Sequence, residues 1–148
     1  MKKFKFTLQS IFEYKQTVEK TQKTELKRAE TELNQLRDQE RKLDEAFERT
    51  KDSQKETIVR NVNLTGELAT HDSYFRYLRE AKAKLFAEID KAQLRRNVCQ
   101  DALILTMKQI KTYTKLRDEQ YQTYLHEVQI EEEKAMGDLV SFNSASAF

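Results

Sequence analysis

The stretch NVNLTGELATHDS, residues 61 to 73, decides the fold. It contains Gly66, one of 2 glycines in a chain of 148 residues that has no proline at all. Around Gly66 gather Asn61, Asn63, Thr65, Thr70, Asp72 and Ser73, residue types that favour turns and helix caps. Elsewhere the chain has little with which to turn. A compact globule of this length needs several turns, so one break reads instead as the joint between two long helices. Asp72 or Ser73 is the expected N-cap of the second helix. Leu64 and Leu68 read part of the break as a helical turn of its own.

Composition agrees with that reading. Charged residues make up 35% of the chain, and the formal net charge is only +2. Abundant Glu, Lys, Gln, Arg, Ala and Leu belong to long helices and coiled coils. Disorder is the rival for so polar a chain. The balanced charge, the recurring Leu, Phe and Tyr, and the strong helix formers between them argue against it.

Before the break, a helix is expected from about residue 8 to about 59. Ser10 or Thr7 is its expected N-cap, with Glu13 completing a capping box on Ser10. One heptad position takes Phe12, Leu26, Leu33 and Phe47, and the other takes Leu8, Ala29, Leu36 and Leu43. Glu19, Glu40 and Gln54 interrupt the first series, and Lys15, Gln22, Thr50 and Thr57 the second. Val18 lies one position off, so the register drifts near residue 20. Such a narrow stripe suits a two-helix seam.

After the break, a helix is expected from about 73 to about 136. Leu78, Leu85, Ile89, Ala92, Cys99, Leu103, Met107, Ile110, Thr114, Tyr121, Leu125 and Val128 follow steps of three, four or seven. Gly137 reads as the stop and residues 138–148 as a frayed polar tail. The expected fold class is therefore all-α: a long antiparallel two-helix coiled coil, one helical hairpin over residues 1–137. At about 1.5 Å per residue the helices would be roughly 75 Å and 95 Å long, so the second should overhang.

An antiparallel hairpin brings the chain ends together, which gives a place to the unusual opening KFKFTLQSIFEYKQTVEK, residues 3 to 20. Phe4, Phe6 and Leu8 alternate as in a strand, yet no second strand-like run follows. The first 28 residues hold eight Lys/Arg against three Glu, while residues 118–148 hold seven Asp/Glu against Lys134 alone. Opposite charge favours that pairing, although exposed pairs contribute little each. Phe4, Phe6, Phe12 and Tyr14 are expected against Tyr121, Tyr124, Leu125 and Val128. There the rings either cap the open end or present an apolar patch to another protein.

No residues converge on a reaction. There is no Gly-rich phosphate loop, no Cys pair and no nucleophile elbow. His71 and His126 are far apart, and the Glu-x-x-His pairs of di-metal bundles are absent. No enzyme activity, cofactor or metal is expected. Cys99 falls on the seam and reads as a small buried apolar residue in a reducing cytoplasm. No apolar run could span a membrane, and MKKFKF lacks the apolar stretch of a signal peptide. Tyr74, Phe75 and Tyr77, flanked by Arg76, Arg79, Lys82 and Lys84, and Tyr113, Tyr121 and Tyr124 further along, are the candidates for base stacking. Packing along the helix is the favoured reading there, and a net charge near zero gives no reason to expect nucleic acid. Lys108, Lys111, Lys115 and Arg117 form a basic stretch, and QIEEEK a solvated acidic one.

Three stretches together resemble one family, the FliJ proteins of flagellar export. KFKFTLQSIFEYKQTVE is similar to that family's opening, here carried by Phe6, Leu8, Gln9, Ile11 and Phe12. LTGELATHDSYFRYLREAKAKL is similar to its loop and second-helix start. EEEKAMGDL resembles its Glu-Gln-Lys-x-Leu-Asp-Glu signature. Glu132, Lys134 and Met136 match in kind, and Gly137 and Asp138 stand in place of Asp and Glu. The resemblance implies a two-helix shaft like the central stalk of a rotary ATPase. It implies insertion into the hexameric flagellar export ATPase, promotion of ring assembly, coupling to the export-gate membrane protein and escort of export chaperones. The implied location is the cytoplasm, peripheral to the membrane at the flagellar base. On that basis Lys2, Lys3, Phe4, Lys5, Phe6, Leu8, Phe12 and Lys15 are candidates for ring contact, with Glu132 and Lys134 added from the signature. A generic coiled-coil scaffold or secretion-system adaptor is the alternative, and a single-stranded nucleic-acid binder a more distant one.

Overall fold

The computed structural model describes residues 2–61 and 64–146. It contains two helices, α1 (Gln9–Arg60) and α2 (Leu64–Ser146), and no strand among the described residues. The fold is the expected all-α helical hairpin. The chain divides into two compact units, and each takes a piece of both helices.

The unit spanning Gln22–Leu103 contains the hairpin turn. Glu32 meets Arg95 at 2.5 Å, Arg37 meets Gln93 at 3.0 Å, Asp44 meets Lys82 at 2.6 Å, and Thr57 meets Glu67 at 2.9 Å. Numbers rise on α1 as they fall on α2, so the helices run antiparallel. The seam buries Ala29 and Leu33 of α1 with Phe75, Leu78, Leu85, Ala92 and Leu103 of α2. Phe47 meets Phe75 edge to face at 4.9 Å. Thr50 and Thr57, which interrupt the heptad frame, are buried as well. Their hydroxyls reach the carbonyls of Ala46 (2.8 Å) and Ser53 (2.9 Å), which satisfies the polar atom inside its own helix. Cys99 is half-buried rather than fully enclosed. The rim carries water-exposed charge. Hydrogen bonds from Arg41 and Lys42 hold the Asp38 carboxyl below its ordinary range. The bond to Asp44 holds the Lys82 ammonium above its own.

The break is shorter than expected. Asn61 takes φ 53°, a left-handed conformation that Asn tolerates better than most residues. Its N–H donates to the Thr57 carbonyl at 3.1 Å, the bond of a one-residue helix stop. The expected turn residue Asn63 lies outside the described residues, and α2 begins at Leu64 rather than at Asp72 or Ser73. Glu67 explains the early start. Its carboxylate accepts from Arg60 (3.2 Å) and shares the one Thr57 hydroxyl proton (2.9 Å) with the Ser53 carbonyl, tying the first turn of α2 to the last turn of α1. A carboxylate is also favoured at a helix N-terminus by the helix dipole. Gly66 and Thr70 are therefore helical, with the Thr70 hydroxyl donating to the Gly66 carbonyl at 3.1 Å.

The other boundaries shift too. Helix α1 starts at Gln9, which places Ser10 inside the first turn instead of at the cap. The Ser10–Glu13 capping box is replaced by a bond from the Gln9 amide to Glu13 at 2.9 Å. At the far end α2 runs through Gly137 to Ser146, so residues 138–146 are helical and not a frayed tail. A lone Gly costs a helix only about 1 kcal/mol relative to Ala, and Gly137 keeps a helical φ rather than turning left-handed. No helix among the described residues is long and apolar enough to cross a membrane.

Candidate functional site

The second unit contains residues up to Thr21 and from Ile104 onward, and so includes the opening segment and its aromatic rings. The alternation of that segment sorts its side chains. Lys3 and Lys5 are exposed, whereas Phe4 is half-buried and Phe6 fully buried. Phe6 packs edge to face on Phe12, with ring centroids 6.2 Å apart, and Phe12 is itself buried. Phe4 rests on Tyr121 at 5.1 Å and on Tyr124 at 5.5 Å. The Tyr124 hydroxyl donates to the Lys2 carbonyl at 2.9 Å, and Thr7 approaches Gln120 at 3.5 Å. The Arg117 guanidinium lies 5.2 Å from the centre of the Phe12 ring. Each aromatic pair contributes about 0.5–1.5 kcal/mol beyond the area it buries. Together they hold a segment that has no strand to pair with.

These contacts divide the candidate residues. Phe6 and Phe12 serve the core of this unit, and Leu8 and Lys15 are half-buried. Lys2, Lys3 and Lys5 project into water beside the edge of Phe4. With Phe4 they form one wall of a shallow groove, and Glu119, Gln120, Tyr124 and Glu127 form the other. Basic and acidic walls thus face each other across a strip of aromatic surface. Glu132 and Lys134 stand apart, fully exposed on α2. Beyond Val128 every described residue of α2 is exposed.

Tyr14 departs from expectation. It is 65% exposed and takes no part in the aromatic cluster. Two residues after Phe12 it points about 200° away around the helix. Tyr121 and Leu125 keep roughly two-fifths of their surface in water, and Val128 is half-buried. The contact of Arg117 on Phe12 was not visible in the sequence, where Arg117 reads as part of a basic run. A second feature missed was the exposed Leu139, Val140 and Phe142, hidden by reading Gly137 as a stop.

Among the described residues no group of His, Cys, Asp and Glu could hold a metal ion. The three-ring stacking platform does not form either. Tyr74 and Tyr77 stack at 6.1 Å, but Phe75 is buried against Phe47. Helices closed by a narrow seam, with a surface rich in charge and lysines beside aromatic rings, define a helical-hairpin protein. The family model of the flagellar FliJ protein matches residues 4–147, and the chain belongs to that family. It is accordingly a non-catalytic protein of flagellar export with a general stalk and chaperone role. Membership implies interaction with the export ATPase and its gate. No curated protein and no solved structure matches the chain.

Proposed function

We propose that this protein is a central-stalk component of the flagellar type III export apparatus, working in the cytoplasm at the membrane-bound export machinery. It enters the hexameric export ATPase with the end that carries both chain termini, promotes ring assembly, and couples the ring to the export-gate membrane protein. It also escorts export chaperones. The observation that carries this reading is the family match over residues 4–147, which takes in both helices and the aromatic opening segment. The chemistry of that segment supports it. Lys2, Lys3 and Lys5 and the edge of Phe4 are accessible for contact with a ring, whereas Phe6 and Phe12 act by holding the segment in place.

The test is ATP hydrolysis and ring assembly by the flagellar export ATPase with the full-length chain added. Wild-type protein is expected to raise both. Replacing Lys2, Lys3 and Lys5 together by Glu should weaken the stimulation at least about tenfold, because rim charges act through steering and complementarity. A variant that stimulates as well as wild type would remove this segment from the ring contact. No stimulation by wild type would favour a coiled-coil adaptor of another kind.

A further inference from the structure

We infer that α2 carries a second seam, facing away from α1, through which two copies of this chain pair antiparallel. The first seam takes Leu78, Leu85, Ala92 and Leu103, all buried. Leu94 lies two residues after Ala92, about 200° further round the helix, and so on the opposite face. Leu94 is 65% exposed and Val98 is 68% exposed. They belong to the series Ala87, Lys91, Leu94, Val98, Asp101, whose steps of four, three, four and three are those of a heptad seam.

The charges in this series choose the occupant and its direction. A two-fold axis between Leu94 and Val98 makes Leu94 of one copy meet Val98 of the other. The same axis brings Lys91 of one copy to Asp101 of the other, and each contact occurs twice. A parallel pair would instead set lysine against lysine and aspartate against aspartate. The pattern therefore matches itself in one orientation only. Lys91 and Asp101 have no ion-pair partner among the described residues of their own chain. Arg95, which flanks the axis, already binds Glu32 at 2.5 Å, so two copies do not bring free guanidinium groups together. Asp90 and Asn97 lie along the other flank. The surface is small beside the roughly 1,200 Å² of a stable complex, so the pairing is weak and reversible. It does not depend on the stalk reading.

Sedimentation equilibrium of the full chain over a wide concentration range tests the inference. Wild type is expected to pass from monomer to dimer as concentration rises. Lys91→Glu alone, or Asp101→Lys alone, sets like charges together at both contacts and should weaken the dimer by about tenfold. The double variant Lys91→Glu/Asp101→Lys restores opposite charge and should return most of that loss. Leu94→Asp should abolish dimers. All three positions are exposed, and unchanged helicity by circular dichroism confirms that each variant folds. A wild type that stays monomeric at every concentration overturns the inference. So does a double variant no tighter than the singles, or a Leu94→Asp variant that still dimerises.

Discussion

Between Gln22 and Leu103 the helices are closed mainly by small and branched side chains, with the ring pair Phe47–Phe75 among them, whereas beside the chain ends the closure is chiefly by rings. In the first region Ala29, Leu33, Leu78, Leu85 and Ala92 share the seam with two threonines, so no single side chain carries it. In the second, Phe4, Phe6 and Phe12 with Tyr121 and Tyr124 do most of the closing. Past Val128 nothing described is buried at all. A distributed seam loses stability in proportion to what is removed. A ring clamp is local, and its loss frees one segment while the rest stays folded.

The largest expected effect is in the distributed seam. Leu78 is among the most enclosed of its leucines. Leu78→Ala should cost about 3 kcal/mol, from lost transfer energy and the cavity left behind. Urea unfolding followed by helical circular dichroism reads this directly. A cost under about 1 kcal/mol would mean that the seam collapses around the gap, and that the helices are less fixed than their contacts imply.

Phe6→Ala should have a smaller effect, about 2 kcal/mol, because Phe6 lies near a chain end and its loss is felt locally. Amide hydrogen exchange should rise across residues 2–12 and remain slow at Leu33 and Leu85. Exchange rising in both regions would break the contrast between clamp and seam. Exchange rising in neither would show that Phe4, on Tyr121 and Tyr124, holds the segment alone.

The same contrast explains what was legible in the sequence. Seam positions repeat, so the heptad frame found Phe12, Ala29 and Leu33 on α1 and Leu78, Leu85, Ala92 and Leu103 on α2. Boundaries do not repeat, and they were misplaced. Thr65, Gly66 and Thr70 favour turns in isolation. Here the half-buried Leu64 and Leu68, and the bond of Glu67 to Thr57, draw them into the helix. One left-handed residue, Asn61, is enough to stop α1. Thr50 and Thr57 read as interruptions because heptad patterns weigh polarity, not whether a hydroxyl can reach its own helix carbonyl. At the candidate site, the pairing of aromatic rings across the chain ends was legible from charge and spacing. The division between Phe6, which is structural, and the exposed lysines was not, since it depends on which side of an unpaired segment faces α2.

The smallest expected effect concerns the charged rim, and its sign follows from two groups. The Asp38 carboxyl is held below its ordinary range, chiefly by the hydrogen bond from Arg41 at 2.6 Å and then by Lys42. Its contribution is therefore complete above the unfolded value near 3.8 and fades as pH falls through the lower folded value. The Lys82 ammonium is held above its ordinary value by its bond to Asp44. That contribution is complete below the unfolded value of 10.5 and is lost as pH rises through the higher folded value. Both groups are open to water, so screening by salt should flatten both limbs. Urea midpoints measured from pH 2 to pH 12 should fall at both ends, with a flat region between. Asp38→Asn should reduce the acid limb and leave the alkaline one unchanged. If it moved the alkaline limb instead, Asp38 would be coupled to groups beyond Arg41 and Lys42, and the rim would be one network rather than separate pairs.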